Sequence, residues 1–161
     1  MNFKQIEEIV EESLKMLYKK DKHLIYHEYK NGVCEYNHGS ERGIVFRFGI
    51  YFDKFFNEKK TQKQNITIDY SIDVEYNRNK NDSKRLPNWE NGCYPDFIVH
   101  ERGTNNNNLL ILEFKTWWNT YQINDENKIK QFLDPNGEYK YRYGATVLIE
   151  KKKGHITWIR Y

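Results

Sequence analysis

Three charged side chains lie within two apolar segments that have the composition of β-strands. Asp96 precedes the run FIVH, and Glu113 and Lys115 interrupt the run LLILEFK. A charged side chain buried in a strand without a partner costs several kcal/mol, so it usually has a counter-ion, a metal ion or an exposed face. We therefore ask whether these three residues act together.

The two segments are the arms of a predicted β-hairpin. Residues 95–101 and 109–115 flank a polar stretch that contains glycine and four asparagines, which is typical of a turn. A hairpin centred between residues 104 and 105 pairs Ile98 with Ile111. Directly paired residues share one face of the sheet, with Cβ atoms about 4.5–5.5 Å apart.

The same register pairs Asp96 with Glu113 and places Lys115 on their face, because side chains alternate along a strand. Two carboxylates this close repel each other unless a cation lies between them or one is protonated. Oxygen ligands beside an ammonium group suit Mg²⁺ or Mn²⁺, which polarise a phosphate and lower the pKa of bound water. Lys115 would steady the attacking hydroxide or the charge that develops on phosphorus. The pattern predicts metal-dependent hydrolysis of a phosphodiester.

The elements that position these residues follow from hydrophobic periodicity. Three segments have helical spacing: residues 3–18, a segment that begins near the predicted N-cap Ser40, and residues 124–134 with Asn124 as cap. Besides the hairpin, three segments are predicted strands: residues 66–77, 144–150 and 155–161. The predicted order is α, α, β, β, β, α, β, β.

Residues 66–77, 22–37 and 77–92 differ in how clearly their sequence predicts an element. Residues 66–77 alternate without a fault, which predicts Ile72, Val74 and Tyr76 on one face of a half-buried strand. Residues 22–37 are ambiguous, with a short strand expected around residues 23–29. The stretch 77–92 has no predicted element.

Length and composition limit the classes of protein to which the chain can belong. The chain has 161 residues, about the size of one domain. Hydrophobic residues make up 38% and aromatic residues 16%, which excludes a disordered chain despite its 30% of charged residues. Cys34 and Cys93 lack the spacing of a zinc site. Without a signal peptide or an apolar span, a cytoplasmic location away from membranes is expected.

The spacing of the charged residues also resembles a known signature. Pro95-Asp96, sixteen residues, then Glu113-Phe114-Lys115 is similar to the motif of the PD-(D/E)XK nuclease superfamily, which has the restriction-endonuclease-like fold. The resemblance implies that Asp96 and Glu113 bind metal and that the backbone carbonyl of Phe114 adds a ligand. It also implies that Lys115 assists the nucleophilic water.

The resemblance extends to an acidic residue on the helix that precedes the first core strand. Glu41 matches that place, four residues before Val45 and seven before Phe48, so it continues the inward face of the helix. The resemblance implies a further metal-facing carboxylate there. The alternative is a first-turn glutamate that complements the helix dipole.

The similarity covers most of the chain. The segments SERGIVFRF, DVEYNRN, PDFIVHERGTNNNNLLILEFK and DENKIKQF resemble a group of mostly uncharacterised bacterial and phage-borne members of the superfamily. We expect one nuclease-like α/β domain over residues 1–161, with a helical extension at 1–37 and the core at 38–161. That core would be αβββαβ, a mixed central β-sheet flanked by helices.

Three further side chains are candidates for contact with nucleic acid: Arg78, Lys128 and His100. Arg78 either reaches a backbone phosphate or forms a solvated pair with Glu75. Lys128 either contacts a phosphate or pairs with Asp125 three residues before it. His100 shares the face of the predicted site and either contacts phosphate or stabilises the turn.

The resemblance implies a Mg²⁺-dependent endonuclease in which Mn²⁺ substitutes, with DNA rather than RNA as the expected substrate. A domain of this size has no separate sequence-reading module, so specificity would come from loops, a homodimer or a partner protein. The alternative function is a catalytically silent module on the same fold that binds nucleic acid or a protein. Divalent metal binding distinguishes the two.

Overall fold

A mixed β-sheet with helices on both faces organises the chain. The computed structural model describes residues 1–26, 39–62, 67–87, 89, 91–119 and 125–161. Its α-helices are α1 (Phe3–Lys20), α2 (Glu41–Gln62) and α3 (Asp125–Leu133). Its strands are β1 (Ser71–Val74), β2 (Arg78–Asn79), β3 (Asp82–Ser83), β4 (Phe97–His100), β5 (Leu110–Thr116), β6 (Tyr143–Ile149) and β7 (Gly154–Ile159). None of the helices within these ranges is long and apolar enough to cross a membrane.

Five strands form the central sheet in the order β1-β4-β5-β6-β7, and β2 pairs with β3 separately. The neighbours are antiparallel except β5 and β6, which are parallel. A parallel pair needs a crossover connection, and α3 lies in that connection. The fold is therefore α/β with a mixed sheet flanked by helices, as the sequence predicts.

The hairpin has the predicted register. Ile98 pairs with Ile111, and Phe97 pairs with Leu112. Asp96 lies directly before β4, while Glu113 is in the middle of β5. Strand alternation then determines which side chains meet each layer of helices.

Each face of the sheet has its own apolar core. One cluster joins α1 and α2 to the sheet through Phe48, Phe97 and Phe114, which are all fully buried. The other joins α3 to the opposite face and contains Ile111 and Ile129. Burying a large apolar side chain stabilises the fold by about 1.5–3 kcal/mol. The face that carries Glu113 is therefore the face that α3 covers.

Helix α2 begins at the predicted position because Ser40 caps it. The Ser40 hydroxyl accepts a hydrogen bond from the backbone N–H of Gly43 at 3.0 Å, which satisfies one of the free N–H groups of the first turn. Val45 and Phe48 face the core as predicted. This cap fixes Glu41 in the first turn of α2. The predicted cap of α3, Asn124, lies outside the described residues.

Three predictions of local structure are corrected. Lys22–Leu24 form a 3₁₀ turn rather than the start of a strand, and residues 27–38 lie outside the described part of the chain. The stretch 77–92 contains the short β2–β3 hairpin. The strand expected over 66–77 is shorter, spanning Ser71–Val74.

A fourth correction concerns the face of Tyr76. Ile72 and Val74 pack on the α1–α2 side as expected, but Tyr76 packs on the α3 side. Glu75 has a left-handed backbone conformation, with φ of 51°, so the alternation of the strand ends there. The Tyr76 ring lies 4.9 Å from the His100 ring.

Candidate active site

Side chains from α2, the hairpin and α3 form one group of charges. Its members are four carboxylates and two lysines: Glu41, Asp96, Glu113, Asp125, Lys115 and Lys128. We call this group the charge cluster. The structure thus brings together the four predicted catalytic residues, since Glu41, Asp96, Glu113 and Lys115 are all members.

Asp96 is held in place by the backbone of the neighbouring strand. Its Oδ2 accepts a hydrogen bond of 2.7 Å from the N–H of Phe114. Burial raises the pKa of the Asp96 carboxyl, although this hydrogen bond and the charges of Lys128 and Lys115 oppose the rise. The motif residue between Glu113 and Lys115 therefore orients Asp96 through its N–H.

Glu113 is the most buried carboxylate of the charge cluster, with only 2% of its surface exposed. The Lys128 ammonium lies 2.8 Å from Oε1 and donates a hydrogen bond to Oε2 at 2.9 Å. Burial and the nearby Asp96 charge raise the pKa of Glu113 well above its usual range, and Lys128 opposes them.

Lys115 forms an ion pair with Asp125, at 3.0 Å between Nζ and Oδ2. Burial by itself lowers the pKa of Lys115, but the hydrogen bond and charge of Asp125 outweigh it and raise the pKa. Lys115 is therefore protonated at neutral pH. An ammonium group cannot accept a proton from water, but it can donate hydrogen bonds and stabilise negative charge.

Glu41 reaches the charge cluster from the first turn of α2. Its Oε2 accepts a hydrogen bond of 3.2 Å from the hydroxyl of Thr116, which is fully buried at the end of β5. Burial and the Asp96 charge raise the pKa of the Glu41 carboxyl, and Lys115 opposes them. Glu41 thus joins α2 to β5 in addition to its position at a helix N-terminus.

A small cavity opens beside the Lys115–Asp125 ion pair. It has a volume of about 200 Å³, which is room for several water molecules. Thr146 and Leu148 of β6 line it together with Glu126. Solvent therefore reaches the charge cluster between α3 and β6.

The charge cluster fits a hard divalent cation in donor type and in charge. Four carboxylates and two ammonium groups leave a formal charge of minus two, which one divalent ion would balance. Carboxylate oxygens are the ligands that Mg²⁺ and Mn²⁺ prefer. However, no three acidic, histidine or cysteine side chains in the described ranges are arranged as a ready metal site. Metal binding would require the Glu113 side chain to adjust.

Two predicted ion pairs have different partners in the structure. Lys128 does not pair with Asp125, because it faces the sheet and contacts Glu113 instead. Glu75 pairs with Arg42 of α2, at 2.6 Å between Oε1 and Nε, and not with Arg78. Spacing along the chain identified the charged residues, but tertiary packing selected their partners.

His100 and Arg78 lie in different environments. His100 is 3% exposed, and its Nε2 lies 2.9 Å from Asp73 Oδ2, so its ring is unavailable to nucleic acid in this conformation. Arg78 is exposed at the start of β2. Of these two, only Arg78 remains a candidate for contact with a phosphate backbone.

Sequence reasoning missed the roles of Asp125 and Thr116. The sequence pairs Asp125 only with Lys128, three residues later, because the register of α3 over the sheet depends on how the crossover packs. Thr116 follows Lys115 directly and alternates to the other face of β5, so nothing in the hairpin pattern connected it with Glu41.

No protein-family model matches this sequence, and no curated protein matches it. The geometry and chemistry of the charge cluster are therefore the basis for assigning a function.

Proposed function

We propose that this chain is a Mg²⁺-dependent endonuclease of the restriction-endonuclease-like fold that acts on DNA, with Mn²⁺ able to replace Mg²⁺. The charge cluster is the observation that carries the proposal. Within it the Asp96 charge raises the pKa values of Glu41 and Glu113, and Lys115 opposes the rise at Glu41 and at Asp96; all four residues were chosen from the sequence. An antiparallel hairpin, a helix and a parallel strand around them are consistent with the superfamily that the motif resembles.

The metal would be held by the carboxylates of Glu41, Asp96 and Glu113 and by the backbone carbonyl of Phe114. When bound, it would polarise the scissile phosphate and lower the pKa of a water molecule. The residues of the chain orient these groups. The N–H of Phe114 fixes Asp96, and the Thr116 hydroxyl fixes Glu41.

Lys115 supplies positive charge where negative charge develops on the phosphate. Its raised pKa keeps it protonated, so it acts by hydrogen bonding and electrostatic stabilisation. Asp125 holds the ammonium at 3.0 Å and limits its orientations. Arg78, exposed at the start of β2, would contact a backbone phosphate outside the site.

One observation favours a second candidate, a catalytically silent module on the same fold. The Lys128 ammonium already contacts both oxygens of the Glu113 carboxylate. In addition, the described residues contain no group of side chains arranged as metal ligands. A module of this kind would bind nucleic acid or a protein without cutting it. It differs from the nuclease in lacking any response to divalent metal.

Cleavage of supercoiled plasmid in Mg²⁺ tests the proposal. We expect the wild-type chain to nick and linearise the plasmid, and Asp96→Ala and Lys115→Ala each to abolish cleavage because they remove a metal ligand and the stabilising charge. Glu12→Gln is the matched control, since Glu12 pairs with Lys15 on the exposed surface of α1, away from the charge cluster. Undiminished cutting by both alanine variants would contradict the nuclease assignment.

Thermal unfolding with and without Mg²⁺ separates the two candidates. The nuclease predicts a metal-dependent rise in Tm that is lost in Glu113→Gln. A Tm that is unaffected by metal, together with no cleavage, supports the silent module. Duplex, single-stranded and branched DNA and RNA, offered side by side, identify the preferred polymer.

A further inference from the structure

Lys128 occupies a position surrounded by oxygen atoms. Its Nζ lies 2.8 Å from Glu113 Oε1, 2.9 Å from Glu113 Oε2 and 2.9 Å from the carbonyl oxygen of Tyr94. The lysine is only 9% exposed, so water contributes little to its solvation. The two carboxylate oxygens of Glu113 are also donors that a divalent cation would use.

The ammonium and a metal ion therefore compete for the same carboxylate. A divalent cation on Glu113 would lie within a few ångströms of the Lys128 charge, and like charges at that distance repel strongly where water is excluded. The Lys128 ammonium and the metal ion therefore cannot both bind the Glu113 carboxylate tightly at the same time. Metal binding to Glu113 requires the ammonium to withdraw.

We propose that Lys128 is a positioning residue that holds Glu113 in the metal-free protein and competes with divalent metal for it. This inference rests on the proposed metal-dependent function. Lysine suits such a role, since its ammonium is a point charge on a flexible four-carbon chain. The Tyr94 carbonyl gives the withdrawn ammonium an acceptor that does not depend on Glu113. Lys128 therefore weakens metal affinity and determines the metal concentration at which the site loads.

Direct Mn²⁺ titration of the purified full-length chain, by calorimetry or by electron paramagnetic resonance of free Mn²⁺, tests this competition. Lys128→Gln removes the charge while keeping a polar group, and we expect it to bind Mn²⁺ about tenfold more tightly or better. Lys128→Met is the second variant, with the same expectation. Lys130→Gln is the matched control, because Lys130 pairs with Glu126 on the outer surface of the same helix. Its Mn²⁺ affinity should equal that of the wild type.

A double-mutant cycle with Glu113→Gln shows where the competition occurs. In the Glu113→Gln background, Lys128→Gln should no longer tighten Mn²⁺ binding, since the contested carboxylate is gone. A purely structural ion pair would lower stability without tightening metal binding. Circular dichroism of each variant verifies that the titrated protein is folded.

The outcomes separate this inference from the function on which it rests. Mn²⁺ binding of equal or lower strength in Lys128→Gln and Lys128→Met overturns the role of Lys128 and leaves the nuclease proposal intact. Binding by these variants but not by the wild type supports competition, overturns metal-dependent cleavage by the wild type and favours the silent module. An equal gain in the Glu113→Gln background overturns competition at Glu113. No binding by any variant overturns both proposals.

Discussion

Burial is the largest influence on the carboxyl groups of Glu41, Asp96 and Glu113, and it raises the pKa of each. Each group has a different compensating partner: a hydroxyl for Glu41, a backbone N–H for Asp96 and an ammonium for Glu113. These partners differ in strength, because a charged donor contributes more than a neutral one. Glu113 is the most buried and has the strongest partner.

The sequence identified the acids but not these partners. Asp96, Glu113 and Lys115 were predictable because their charges interrupt apolar strands, which is unusual enough to indicate a function. The hydroxyl of Thr116 and the ammonium of Lys128 carry no such signal. A threonine in a strand and a lysine on a helix are common, and only the packing of α2 and α3 brings them to the carboxylates.

The pKa of Asp73 is lowered, whereas the pKa values of the three carboxyl groups above are raised, and this lowering can be tested by varying the pH. Burial would raise its pKa, but hydrogen bonds from His100 and Arg102 outweigh burial and lower it to about 2. A lowered pKa stabilises the fold above the unfolded value near 3.8, and this contribution is lost as the pH falls through about 2. We expect Asp73→Asn to lower the free energy of unfolding by about 2 kcal/mol more at pH 5 than at pH 2.

Urea unfolding of the wild type and Asp73→Asn at several pH values between 2 and 5 measures that difference. The difference in the free energy of unfolding between the wild type and Asp73→Asn should decrease steadily as the pH falls from 5 to 2. A gap that stays constant over this range would show that the carboxylate charge of Asp73 contributes nothing to stability.

At the scale of the elements, the register of β4 against β5 could be predicted from the sequence, but the packing of the other elements against these strands could not. Alternation of apolar residues specifies the register of β4 and β5 strongly, since a slip by one residue would move every buried side chain to the wrong face. The reversal of Tyr76 could not be read from alternation, because it depends on the left-handed conformation of Glu75. The β2–β3 hairpin was missed since two-residue strands have no periodicity.

Helix α3 approaches β6 closely at Gly144, and this contact positions Lys128 and Asp125. A Cβ atom at Gly144 would lie 2.5 Å from Cγ2 of Ile129 and 3.2 Å from Cδ1 of Leu133. We expect Gly144→Ala to push α3 away from the sheet, to destabilise the fold by about 1–3 kcal/mol and to reduce cleavage per folded molecule. Denaturant unfolding and plasmid cleavage, measured on the same preparation, give both quantities.

Gly154 is the matched control for Gly144. A Cβ atom there would lie 2.5 Å from Cδ2 of Leu14 on α1, on β7 and away from the charge cluster. Gly154→Ala should lower stability while cleavage per folded molecule stays at the wild-type level. Equal loss of cleavage in both variants would mean that general destabilisation, and not the position of α3, controls activity.

At the scale of the whole molecule, two helices begin at the charge cluster. Glu41 lies in the first turn of α2 and Asp125 in the first turn of α3. Helix N-termini carry partial positive charge, which stabilises nearby anions. The two cores on opposite faces of the sheet hold these helix ends, so the charges of the site depend on both packing layers.

The aromatic core under α2 links stability to the position of Glu41. Phe48 is fully buried, with its ring centroid 5.3 Å from that of Phe97 and 5.0 Å from that of Phe114. Phe48→Ala should cost about 3–5 kcal/mol in the free energy of unfolding. Phe46→Ala on the same helix should change it by less than about 0.5 kcal/mol, since Phe46 is 60% exposed.

Guanidinium unfolding of the two variants checks this prediction. The comparison is direct because both substitutions remove the same side chain from one helix and differ only in burial. Equal stability of the two variants would contradict the packing of α2 on the sheet.

The Lys128–Glu113 contact also bears on the order in which the protein is assembled. In small zinc domains, the polypeptide folds only when the ion binds, because metal binding supplies the free energy of folding. In this protein, Lys128 of α3 places its own ammonium group against Glu113, the most buried carboxylate of the charge cluster. We therefore expect newly made chains to reach their final shape in a metal-poor environment, so that under the proposed function Mg²⁺ would bind to an already folded protein.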